Sequence, residues 1–184
     1  MRRGFGRPLR RAFAPDIPPL LRRANQMLSA GNYVEAASAY EQLARAAEAR
    51  GGPRAPFFYI QAGRSRVMAG QAAGGVDQIE RGLGLFAVRG QQLKASNVGM
   101  RVVNELNARN LKKEAQQVTD YLKELVPGFG EGVVPSGTAA SSQRRPLPAH
   151  CPGCGAPLRP DEVEWLDEVT AECPYCGSAV RAEG

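Results

Sequence analysis

The sequence predicts a mostly α-helical protein, three antiparallel helix pairs in a row, joined by a flexible linker to a small β module at the C-terminus. Three observations predict it. Apolar residues recur with helical period from Pro18 to Val126, glycines punctuate that stretch at Gly31, Gly51, Gly70 and Gly90, and all four cysteines fall within residues 151–184.

Pro18-Pro19 suits the start of a first helix, because proline lacks an N–H that the opening turn would leave unpaired. Leu20, Ala24, Met27 and Leu28 share one face, and Gly31 ends the helix. A second carries Tyr33, Ala36, Ala37, Tyr40, Leu43 and Ala47 and stops at Gly51-Gly52. Pro56 opens a third, with Tyr59, Ala62, Gly63 and Val67 before Gly70. Val76, Ile79, Leu83 and Phe86 mark a fourth, ending at Gly90. Val98, Val102, Val103 and Leu106 mark a fifth, and Ala115, Val118, Leu122 and Leu125 a sixth. Small residues such as Ala36, Ala37, Ala39, Gly63 and Gly82 allow close approach, so that stacked pairs bury one continuous core over residues 18–126.

Residues 127–149 are rich in glycine, proline and serine and read as a flexible linker, with an end-to-end distance on the order of 25 Å. Such a tether would leave the C-terminal module free to move. Residues 1–17 contain Arg2, Arg3, Arg7, Arg10 and Arg11 and read as a disordered basic arm, since nothing there can form a core. No stretch approaches the roughly 20 apolar residues of a membrane span, and no apolar run follows the cationic N-terminus as it would in a secretory signal. A cytoplasmic location is expected.

The C-terminal module, residues 150–184, contains Cys151-Pro-Gly-Cys154-Gly, then eighteen residues, then Cys173-Pro-Tyr-Cys176-Gly. Zn²⁺ takes four tetrahedral ligands with sulfur about 2.3 Å away, and a Cys-x-x-Cys turn brings two thiolates to one ion. One structural Zn²⁺ on Cys151, Cys154, Cys173 and Cys176 is therefore expected, with His150 a solvated neighbour. Gly155 and Gly177 stand where the turn needs positive φ. Between the turns Val163 and Trp165 alternate with Glu162 and Glu164, and Val169 and Ala171 with Thr170 and Glu172, which predicts two strands meeting around Leu166-Asp167-Glu168. A segment below about 40 residues needs a metal or disulfides to fold. Two disulfides are the competing reading, disfavoured because each pair is only two residues apart and nothing marks the chain as secreted. Cys173-Pro-Tyr-Cys176 also resembles a glutaredoxin active site, but that motif belongs between a strand and a helix, not beside a second Cys-x-x-Cys.

Cys-Pro-Gly-Cys-Gly and Cys-Pro-Tyr-Cys-Gly-Ser resemble the rubredoxin-type knuckles of the zinc-ribbon family, a resemblance confined to residues 150–184. It implies a closed, structural zinc. Residues Gly31-Asn-Tyr-Val-Glu-Ala-Ala-Ser-Ala-Tyr resemble the inter-helix turn and second helix of a tetratricopeptide repeat, at Gly31, Tyr33, Ala36 and Tyr40. A second repeat keeps Gly63, Gly70, Ile79 and Gly82, and a third keeps Asn110, Ala115, Leu122 and Pro127. The turns at Gly31, Gly70 and Asn110 lie further apart than that family's 34 residues. The resemblance implies a tetratricopeptide-like array with a groove lined by the first helix of each pair; an irregular antiparallel helical bundle is the competing reading. Asn25, Gln61, Arg64, Asn97 and Arg101 would face a ligand in that groove, with Leu21 where the family would place a lysine.

Charge divides along the chain: net +4 over residues 1–17, +6 over 18–130, +1 over 131–150 and −5 over 151–184. Asp161, Glu162, Glu164, Asp167, Glu168 and Glu172 make the zinc module a surface that phosphate avoids. A protein partner is therefore favoured over nucleic acid, with Leu158 and Trp165 as candidate exposed apolar anchors; for Trp165 two other readings stand, a lid packed over the knuckles and a contact by which the acidic ribbon folds back onto the basic helices. One histidine, no glycine-rich phosphate loop and no evident carboxylate pair give no catalytic constellation. A non-enzymatic protein–protein interaction adaptor is the leading expectation. Two alternatives are a RING-like adaptor in a ubiquitin-like transfer system and an RNA- or DNA-binding factor acting through the basic arm.

Overall fold

A computed structural model describes residues 17–129, 146–160 and 162–182. The basic arm, apart from Ile17, and most of the expected linker lie outside the described residues. Six helices are present among them: α1 (Pro19–Ser29), α2 (Tyr33–Ala49), α3 (Ala55–Met68), α4 (Ala72–Val88), α5 (Gln92–Ala108) and α6 (Lys112–Leu125). None is long and apolar enough to cross a membrane.

Each of the five connections between them is the same turn. The residue after the helix cap has positive φ, at Gly31, Gly51, Gly70, Gly90 and Asn110. Its N–H bonds the carbonyl three residues back and the next N–H reaches five back, as in Gly70 to Val67 (3.1 Å) and Gln71 to Arg66 (2.9 Å). This pairing satisfies carbonyls that a helix end would otherwise leave open. Asn110, at φ 61°, shows that asparagine also tolerates the left-handed conformation. Such short turns fold each helix back on its predecessor. The principal contacts run α1–α2, α2–α3, α3–α4, α4–α5 and α5–α6, with α6 also on α4. Tyr40, Tyr59, Ile60, Ile79, Leu83, Phe86 and Leu122 are fully buried between them.

The third helix departs from one-sided burial. Residues Ala55 to Ser65 of α3 are all buried, among them Gln61, Arg64 and Ser65. A helix buried on every side is enclosed by neighbours, and α3 has α2 and α4 on its flanks and the C-terminal module across its remaining face. Its contact with α4 is backbone-close. A methyl group placed on Gly63 would lie 2.5 Å from the Gly75 carbonyl oxygen, and one on Gly75 would lie 2.8 Å from that of Gly63. Gly63→Ala should therefore push the helices apart and destabilise the protein by about 2 kcal/mol, the scale of overpacking. Gly74→Ala meets nothing nearer than Arg66 Nη1 at 3.7 Å. It should instead stabilise by up to about 1 kcal/mol through helix propensity. Urea midpoints of the two variants check the opposite signs.

The C-terminal module has three short antiparallel strands in sequence order: β1 (Glu164–Trp165), β2 (Thr170–Glu172) and β3 (Ala179–Arg181). Trp165 pairs with Ala171, and Ala171 with Val180. The strand expected from Glu162 begins two residues later, because the Glu162 and Val163 N–H groups close a turn on the Arg159 carbonyl. That turn buries Glu162 rather than presenting it to solvent. The third strand, not anticipated, shields the other edge of β2.

Candidate metal centre and the face it rests on

Cys151, Cys154, Cys173 and Cys176 are all buried, and their sulfurs lie within 4.8 Å of one another. Two turns of identical construction bring them together. Gly155 N–H bonds the Cys151 carbonyl and Cys151 N–H the Ala156 carbonyl; Gly177 and Ser178 repeat both bonds around Cys173, all at 2.8–2.9 Å. Gly155 and Gly177 take φ of 76° and 74° to close these loops. Cys151 Sγ is 3.7 Å from Cys176 Sγ and Cys154 Sγ is 3.9 Å from Cys173 Sγ. A disulfide needs about 2.05 Å. A tetrahedron with metal–sulfur bonds of about 2.3 Å has edges of about 3.8 Å, so the spacing fits a four-coordinate ion such as zinc. Hydrogen bonding among the crowded thiols pulls Cys151 down to about 6 and raises Cys154 and Cys173. Ser178 Oγ, 3.2 Å from Cys176 Sγ, is placed to donate to a thiolate there. His150 is exposed on the rim and takes no part in the cluster.

The module does not stand apart from the helices. It rests on α1, α3 and α5, and both cysteine turns are part of the contact. At the first turn, Asn25 Nδ2 donates to the Cys154 carbonyl, and the Tyr40 hydroxyl donates to Asn25 Oδ1 to hold that amide in place. At the second, Tyr175 enters the helical face with its ring 6.1 Å from that of Phe57 and 6.5 Å from that of Phe58. Its hydroxyl donates to Gln61 Oε1 at 3.2 Å, and burial pushes its pKa up.

Ion pairs extend the contact. Arg64 holds Glu105 of α5 through two bonds of 3.0 and 3.2 Å and Glu162 of the module at 2.9 Å. Arg101 and Arg159 approach Glu162 at 3.7 and 4.0 Å, and Arg159 also pairs with Glu105. Burial opposes ionisation of Glu162, but Arg64, Arg159 and Arg101 outweigh it and hold the carboxyl below its usual range. At the margin, Arg54 faces Glu172 at 3.8 Å and Lys94 faces Glu164 at 4.0 Å.

Of the residues expected to face a ligand, the structure thus sets Asn25, Gln61, Arg64 and Arg101 against the chain's own C-terminal module. Asn97 lies half-buried on α5 one turn before Arg101. Leu158, expected as an exposed anchor, is instead only 7% exposed: its N–H bonds the Ala149 carbonyl beside the His150–Pro157 bridge, and its side chain joins the core. Trp165 is half-buried, and its indole N–H donates to the Pro160 carbonyl at 3.2 Å. Among the described residues of this module, the exposed large apolar side chain is Leu166, at the hairpin tip. Sequence reasoning missed Tyr175 and Glu162, the two side chains that carry the docking. Their signal was faint: an aromatic inside a metal turn, and an acidic residue beside Val163 at an apparent strand start. No protein-family model, curated protein or solved structure matches this chain.

Proposed function

We propose that the chain is a non-enzymatic protein–protein interaction adaptor, built as a tetratricopeptide-like array of three helix pairs with a rubredoxin-type ribbon. In this reading one structural Zn²⁺ sits on Cys151, Cys154, Cys173 and Cys176. Four thiolates leave no open coordination position, which suits a structural ion rather than a catalytic one, and reduced thiols suit the cytoplasm. The observation that carries the reading is that the face of α1, α3 and α5 accommodates a folded polypeptide, with an aromatic ring seated between phenylalanines and a carboxylate on buried arginine. Those are the elements of a protein-recognition site: a desolvated aromatic anchor, a hydrogen-bonded charge pair and a polar rim.

A photo-crosslinking residue at Met100, 42% exposed on the outer side of α5, tests it in cells that produce the chain. The expected product is a discrete adduct that protease removes and nuclease does not. An adduct abolished by nuclease, or none in repeated trials, overturns the adaptor reading, the former in favour of nucleic-acid binding.

A further inference from the structure

We infer that the ribbon is an intramolecular occupant of a docking face, and that the same face takes a partner segment presenting an aromatic ring together with a carboxylate. This rests on the adaptor reading and adds to it the partner's chemistry and the partner's competitor.

Four observations point there. The face is polar where a permanently buried helix surface would be apolar: Asn25, Gln61 and Arg64 are 4%, 4% and 7% exposed, and each bonds a group of the ribbon. Burying an amide or guanidinium costs free energy unless a partner meets it, and here the partners are a backbone carbonyl, a phenol and a carboxylate. A peptide segment can supply all three groups.

The fit is also incomplete. Beside Arg64, where Pro157 and Arg159 of the ribbon cross α3 and α5, a half-open pocket of about 290 Å³ remains, with Leu28, Val67, Ile79 and Val102 among its walls and Glu105 at its side. The walls of this cleft are mostly apolar and the ribbon does not cover them, which leaves apolar area for a bulkier side chain to bury. Charge selects the class of occupant: residues 18–130 carry net +6 against −5 for residues 151–184. An acidic segment is attracted as the ribbon is.

Finally, the contacts depend on the metal turns. The Cys154 carbonyl and Tyr175 both lie inside the loops that bring the thiolates together, so the residues that would hold the ion are those that orient the docking groups. While the turns are formed, docking within one chain proceeds at an effective concentration on the order of millimolar, and a partner must overcome that advantage. When the turns lose their shape, the face is released.

The test uses the full-length chain and a random peptide library displayed on phage, panned against metal-loaded Tyr175→Ala. Enriched peptides should pair an aromatic residue with Asp or Glu. Measured as synthetic peptides, they should bind Tyr175→Ala at least 10-fold more tightly than metal-loaded wild type, and adding Arg64→Met should remove that binding. Circular dichroism establishes that Tyr175→Ala retains its helices; should it not, wild type stripped by a chelator takes its place in the same panning and comparison. Equal affinity for docked and released chains, enrichment of peptides without an acidic residue, or no enrichment overturns the inference. A Met100 adduct obtained alongside any of those results leaves the adaptor reading standing and removes only this one.

Discussion

Cys173→Ser is expected to abolish metal binding, unfold the ribbon and free the helical face, while the six helices keep their far-ultraviolet circular dichroism. The wild-type chain should carry one Zn²⁺, which elemental analysis of the reduced protein measures directly. The effect is large because the ion contributes on the order of 10 kcal/mol to a domain of this kind. The ribbon's own core is little more than Ala156, Leu158, Val163, Ala171 and Val180. The helices should not escape unchanged. With Tyr175 and the Cys154 carbonyl withdrawn, Asn25 Nδ2 and Gln61 Oε1 lose their bonds to the ribbon and Phe57 and Phe58 lose the Tyr175 ring. A loss of about 2 kcal/mol from a helical unit of this size lowers its melting temperature by roughly 10 °C. A Cys173→Ser chain that still holds one zinc, or a metal-free one whose helices melt with wild type, would show that the cysteine cluster does not organise the docked state.

The helices were legible because each connection is written locally. A left-handed residue at Gly31, Gly51, Gly70, Gly90 and Asn110 stops one helix, and the apolar period resumes a few residues later. The cysteine cluster was legible for the same reason, since each half is a turn of a few residues. The opposite charges of the ribbon and the helices allowed docking to be considered, but the sequence could not convey which distant residues meet. The run Phe57-Phe58-Tyr59-Ile60 breaks the amphipathic period of α3, and that irregularity is the trace of a helix enclosed on all sides. Asn25, Gln61 and Arg64 stood out as polar residues on first helices, yet nothing near them in sequence identifies Cys154, Tyr175 and Glu162 as what they meet. Glu162 was misread for a related reason: next to Val163 it looks like the solvent face of a strand, and only the turn at Arg159 reveals that it points inward. β3 escaped because three residues around Val180 are too few to show alternation.

Arg64→Met is expected to be the most damaging substitution outside the cysteines. It removes the cation that holds Glu162 at 2.9 Å and Glu105 at 3.0 Å, leaving Glu162, 4% exposed, with Arg101 and Arg159 at 3.7 Å and beyond. Breaking one side of a buried pair costs about 3–5 kcal/mol, whereas removing both partners is far milder, because most of the cost lies in the charge left behind. Arg64→Met combined with Glu162→Gln should therefore recover more than half of the loss, with a coupling above about 1 kcal/mol in urea unfolding of metal-loaded protein at neutral pH. Acid gives an independent reading. In wild type the Glu162 carboxyl is held below its unfolded value of about 4.3. Its contribution is thus complete above that value and lost as pH falls through the lower folded one. In Arg64→Met the largest opposing attraction is gone and burial pushes the carboxyl upward, so the variant's deficit relative to wild type should shrink on mild acidification. Additive single and double substitutions, together with a deficit that does not change with pH, would mean that Arg64 holds the two modules together by packing and not by charge.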